Sequence, residues 1–140
     1  MVDTWAHAHY RSYMSKRLIV LDVGQCDMDH SAIRRVVESL GATVRRAHSR
    51  KEALKCIEAE SFALILVNRI FDMTGEEGLD LIGEICRERS VDCAVMIVSN
   101  YPDAQAEAIK RGAVQGFGKA ALRDPRTLDL IRAHLVRSTE

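Results

Sequence analysis

The chain has 140 residues, 20 Lys+Arg against 20 Asp+Glu, and 47% hydrophobic residues. That is about one domain's length, with enough apolar residues for one proper core. A formal net charge of zero removes any global pull toward nucleic acid or anionic membrane. No apolar run approaches the roughly 20 residues that span a bilayer.

The first 16 residues carry no clear periodicity and read as a flexible or loosely packed N-terminal extension, with Trp5, Tyr10 and Tyr13 leaving a packed arm as the alternative. They lack the apolar core of a secretory signal, so the expected location is cytoplasmic. From residue 17 to 137, strand and helix patterns alternate. Leu18–Leu21 is a short buried strand ending at Asp22. A polar loop, Val23 to Asp29, leads to a helix over about 30–40, with Asp29 or Ser31 as its cap. Thr43–His48 is a more polar strand, expected at an edge. Ser49 and Glu52 have the spacing of a capping box for the helix that follows.

Phe62–Val67 is a third apolar run, ending at Asn68. A long loop precedes a helix over about 78–89. Ala94–Val98 is a fourth strand, 103–111 a helix, and Val114–Gly118 a fifth strand. Pro125 sits in the first turn of a last helix. Five such units predict a doubly wound α/β fold: a five-stranded parallel sheet in the order 2-1-3-4-5, with helices on both faces. Ligands of such sheets bind beyond the carboxyl ends of the strands, here of the first and third.

Residues at that end carry the chemistry. Asn68 leads the list, because a carboxamide is a poor nucleophile where a carboxylate would serve. Cys26, Asp27, Asp29 and His30 put four potential metal ligands within five residues, and thiolate with imidazole suits a transition ion. Asp22, Asp27 and Asp72 are candidates for a weak divalent site, whereas Asp29 is equally explained as a helix cap. Glu76 and Glu77 read as solvated acids near a helix start. The four cysteines, Cys26, Cys56, Cys86 and Cys93, have no CxxC spacing and read as free thiols. No glycine-rich phosphate loop or P-loop lysine motif appears, so an enzyme is not expected.

VVESLGATV after the first helix, SRKEAL at the second and RGAVQGFGKAAL near the fifth strand occur in the order and spacing of receiver domains. Over residues 17–137 the chain resembles an atypical receiver of the response-regulator, CheY-like family, which has a flavodoxin-like fold. The resemblance implies a two-component or phosphorelay setting, with the phosphoacceptor aspartate at Asn68. Asp22 matches the first of two metal-holding acids, at the cost of about two extra residues in the first loop. An ungapped match puts Gly24 and Gln25 there instead.

The stretch from Asn68 to Gly78 is also longer than in receivers, so two enlarged loops are expected to rim one crevice. Ser99 matches the hydroxyl that a phosphorylated receiver draws toward its phosphoryl group, and Lys119 the lysine that pairs with that group. Ala120 stands where receivers have a proline; a cis bond before alanine costs about 2.5–4 kcal/mol, so a trans bond and a displaced Lys119 are expected. Gly116 takes the usual aromatic switch position.

The resemblance further implies signalling through a protein partner or a homodimer. The face used would combine the fourth helix, fifth strand and fifth helix, with Ile109, Phe117, Leu128 and Ile131 as apolar candidates. Neither cofactor, nucleic acid nor membrane is expected. A small-molecule- or metal-sensing module on the same scaffold is the alternative.

Overall fold

A computed structural model describes residues 18–89 and 91–137. The extension expected over 1–16, with its aromatic residues, lies outside them. Strands β1 (Ile19–Val23), β2 (Thr43–Ala47), β3 (Leu64–Asn68) and β4 (Ala94–Val98) alternate with helices. These are α1 (Asp27–Ser39), α2 (Arg50–Ala59), α3 (Gly78–Glu88), α4 (Pro102–Lys110) and α5 (Pro125–Arg137). All pairings are parallel, in the order β2-β1-β3-β4. β2 lies at an edge, as its polar sequence predicts.

The strands are short and apolar because both faces of the sheet are covered. Leu21, Val23, Ile65 and Val67 pack in one cluster with Leu81, Ile82 and Ile85 of α3. Val20, Leu64 and Leu66 face the other way, onto Ile33 and Val37 of α1 and Ile131 of α5. Alternate residues of one strand thus feed two cores. The capping box forms at α2: Ser49 Oγ accepts from Glu52 N at 3.1 Å, and the Glu52 carboxylate accepts from His48 N at 2.8 Å.

Three expectations give way. First, β1 runs through Asp22 to Val23, and α1 already starts at Asp27. The first loop is therefore short, and no lengthened β1–α1 connection rims the crevice. Second, the cap of α1 is Cys26, whose Sγ accepts from Asp29 N at 3.5 Å.

Third, among the described residues the sheet has four strands, and 114–118 is not a fifth. Val114 N donates to Val95 O at 2.9 Å, whereas Ser99 N donates to Phe117 O at 3.0 Å. In a parallel ladder the first bond sets Val114 opposite Met96, and Phe117 bridges Val98. Three steps on one side then face two on the other, which is a bulge.

The side chain of Gln105, from α4, fills this gap. Its Nε2 donates to Ile97 O at 3.1 Å and Ser99 O at 3.2 Å, and its Oε1 accepts from Gly116 N at 2.9 Å. Gly116 lies so close to Ile97 O that any Cβ there would collide with it. A buried amide has replaced ladder bonds, and only glycine fits beside it.

Candidate functional site

Asn68 ends β3, and its side chain is 93% buried, with 7% relative exposure remaining. Its Nδ2 donates to Gly24 O at 2.9 Å and to Ile70 O at 2.7 Å. Carbonyl oxygens only accept, so these two partners fix the amide orientation. The amide ties the end of β1 to the loop after β3. That loop folds back on itself, with Phe71 N donating to Glu76 O at 2.9 Å and an antiparallel bridge between Ile70 and Glu77. Phe71, 1% exposed, packs its ring against Gly24. Gly24 has φ +81°, and a Cβ there would strike that ring. Asp72 N also donates to Gly24 O, at 2.9 Å. The end of β1 beside Asn68 is therefore closed by a phenyl ring and two donors.

The β1–β3 register pairs Val23 with Val67, which leaves Gly24 beside Asn68. Asp22 lies two residues earlier, in register with Arg46 and Leu66. It shares the sheet face of Val20, beneath α1, and is fully buried. Its Oδ2 lies 2.6 Å from His30 Nδ1. Burial pushes its carboxyl above the ordinary range, against the opposing pull of His30, Gln25 and Arg46. Asp22 does not line the crevice. Gly24 and Gln25 follow β1 directly, at the end beside Asn68.

The crevice itself is a cleft of about 480 Å³ lined by Cys26, Asn68, Arg69, Ser99, Tyr101 and Lys119, among others. Ser99 Oγ accepts from Tyr101 N at 3.1 Å, inside the cleft. The described chain has no cis peptide, so the bond before Ala120 is trans, and Lys119 opens a short 3₁₀ turn. Its Nζ sits 2.8 Å from Asp29 Oδ2. Lys119 holds the Asp29 carboxyl below its usual range. Arg69 lies over the ring of Tyr101, 4.8 Å from its centroid.

The proposed metal ligands disperse. Asp27 pairs with Arg46 at 2.8 Å, His30 with Asp22, and Cys26 caps α1. Asp72 is exposed. Among the described residues no three His, Cys, Asp or Glu side chains converge as ion ligands would. The four cysteines form no disulfide; burial pushes the Cys93 thiol up to about 11.

The structure thus brings Asn68, Ser99 and Lys119 to one crevice and leaves Asp22 outside it. Sequence reasoning missed Arg69, Phe71 and the Asp29–Lys119 bridge. A signal for Arg69 was present, since it directly follows the strand-end residue. Phe71 lay within a loop whose fold no local pattern predicts.

No protein-family model matches the sequence, and no curated protein matches it. Solved structures do. A signal receiver domain of an HD domain-containing protein from Pseudomonas fluorescens Pf-5 aligns with TM-score 0.72 at 19% identity, over 88% of this chain and 90% of its own. NtrX from Brucella abortus aligns at 0.71 and 20% identity, over 87% of this chain but 27% of its own. A response regulator from Burkholderia pseudomallei, solved with a phosphorylated aspartic acid, a calcium ion and citrate, aligns at 0.64 and 26% identity. That match covers 84% of this chain and 66% of the other. The chain has the CheY-like receiver fold of response regulators. No helix among the described residues is long and apolar enough to cross a membrane.

Proposed function

We propose that this chain is a cytoplasmic, non-enzymatic signalling module on the receiver fold. It works through protein contacts, without phosphoryl transfer to its crevice. The observation that carries this reading is the Asn68 amide, which donates both its protons to main-chain carbonyls. A receiver phosphoacceptor needs a carboxylate nucleophile there and acids beside it to hold a hard divalent cation. Here the neighbours at the end of β1 are a glycine, a glutamine and the ring of Phe71. Lys119 is already neutralised by Asp29.

The contact surface we favour is a groove of about 640 Å³ between α4 and the bulged segment, where Pro102, Ala106 and Ile109 meet Gly116. Ile109 is 45% exposed, whereas Phe117 and Ile131 are buried in the core. Of the apolar residues expected on this face, Ile109 is the one clearly available to a second copy or another protein.

The test is incubation with acetyl phosphate and Mg²⁺, followed by intact-mass measurement and hydroxylamine treatment. The expected result is no phosphoryl gain. A hydroxylamine-sensitive gain mapped to the crevice would refute the reading. Light scattering across a concentration series, with Ile109→Glu as control, reports whether the partner is a second copy.

A further inference from the structure

We propose that the crevice is a non-covalent site for a small oxyanion, a phosphate or a carboxylate, with Arg69 as its principal ligand. This deepens the reading above, on which it rests for a crevice free of a covalent phosphoryl group.

Lys119 and Asp29 neutralise each other at 2.8 Å, and Asp27 is taken by Arg46. Among the described residues the Arg69 guanidinium has no acidic partner, although it lines the cleft. It is half-buried and rests against Tyr101. Cation–π packing on an aromatic ring restrains a guanidinium without forming a hydrogen bond. A planar five-donor group held in that way matches an oxyanion geometrically.

Further donors converge on the same cleft. Ser99 Oγ accepts from Tyr101 N, which leaves its hydroxyl proton to donate. Asn100 spends its Oδ1 on Ala120 N at 3.1 Å, and its NH₂ remains a donor. The opposing charges are Glu77 and Asp103, which line a neighbouring cavity with Arg69 and Tyr101, and Asp72, which stands exposed on the lip. They weaken an anion site, and this gives the proposal a second handle of opposite sign. The exposed part of Tyr101 offers an apolar surface to a carboxylate that carries a ring.

The test uses two probes on the full chain at constant ionic strength: inorganic phosphate and benzoate, followed by calorimetry and by ¹⁵N shifts. Saturable binding of at least one probe is expected, with shifts at Arg69, Ser99 and Tyr101. Arg69→Gln should weaken it about tenfold, the scale of one charge-assisted hydrogen bond. Asp72→Asn should strengthen it. Both side chains reach solvent, and circular dichroism confirms that the variants fold. A Tyr101→Ala loss confined to benzoate would identify an aromatic carboxylate as the class; equal effects on both probes would identify the bare oxyanion. Absence of saturable binding below about 10 mM, or unchanged affinity in Arg69→Gln, overturns the proposal. Inorganic phosphate cannot phosphorylate a side chain, so such a failure leaves the reading of a non-phosphorylated module intact. An acyl phosphate formed from acetyl phosphate would sink that reading instead.

Discussion

Replacing Asn68 with aspartate restores the residue type of a phosphoacceptor, and the structure predicts that it damages the protein. The amide meets Gly24 O at 2.9 Å and Ile70 O at 2.7 Å, both as donor. A carboxylate oxygen there would face two carbonyl oxygens. Two hydrogen bonds disappear, at about 0.5–1.5 kcal/mol each, and a charged acceptor is left without donors at a buried site, which adds about 1–3 kcal/mol. The sum is about 2–6 kcal/mol, a large part of a typical domain's stability of about 5–15 kcal/mol.

The burden falls on the ionised form, so the carboxyl introduced at position 68 is expected to titrate above the unfolded value of about 3.9. For a raised group, relative stability is retained below the unfolded value and lost as pH rises through the folded one. The deficit of the variant should therefore widen from about pH 4 toward neutrality. Urea unfolding of both proteins between pH 4 and 8 measures it. Equal midpoints at neutral pH, or acyl phosphate formation by the variant with acetyl phosphate and Mg²⁺, would refute the reasoning.

Two further substitutions probe the buried polar groups around the crevice. Asp22 has its carboxyl raised by burial, so its stability contribution is present at acid pH and declines as pH rises through its folded value. Asp22→Asn should therefore gain on the parent protein as pH increases, as read from urea midpoints, provided the amide keeps its bond to His30. Gln105→Ala removes the partner of Gly116 N and of Ile97 O together. It should lower stability by about 2–4 kcal/mol and speed hydrogen exchange at Gly116 and Phe117 before other amides. Gln105→Leu, which fills the space without the polar atoms, should not restore either property.

Much of this fold could be read from the chain because its signals are local. The apolar runs, the Ser49–Glu52 pairing and Pro125 each mark an element with nearby residues. The fourth strand has the bounds read from its sequence. The fifth strand failed because Val114–Gly118 has suitable residue types, yet its pairing is decided by Gln105 on another element. No period within 114–118 reports a side chain arriving from α4. Asp22 was misplaced for a related reason. An aspartate after an apolar run looks like a strand end, but His30 and burial beneath α1 let the strand continue through it. Asn68, Ser99 and Lys119 came together because strand ends are fixed by the sheet. Arg69 and Phe71 lie in a loop whose path depends on contacts with Gly24 and Tyr101.

The crevice differs from that of a phosphorylated receiver through matched pairs rather than separate losses. The Asn68 amide needs carbonyls to receive it, and Gly24 at the end of β1 and Ile70 in the following loop supply them. Gly24 in turn leaves room for the Phe71 ring. Lys119 is balanced by Asp29 of α1, and Gly116 by Gln105 of α4. The members of most pairs lie on different elements, and each satisfies a polar group or space that its partner exposes. Changing one member alone therefore leaves an unpaired buried group or a collision, at about 1–3 kcal/mol. On the reading proposed above, this coupling predicts that an aspartate at position 68 does not by itself recover phosphoryl chemistry. The ring of Phe71 would still pack on Gly24, and Asp29 would still pair with Lys119.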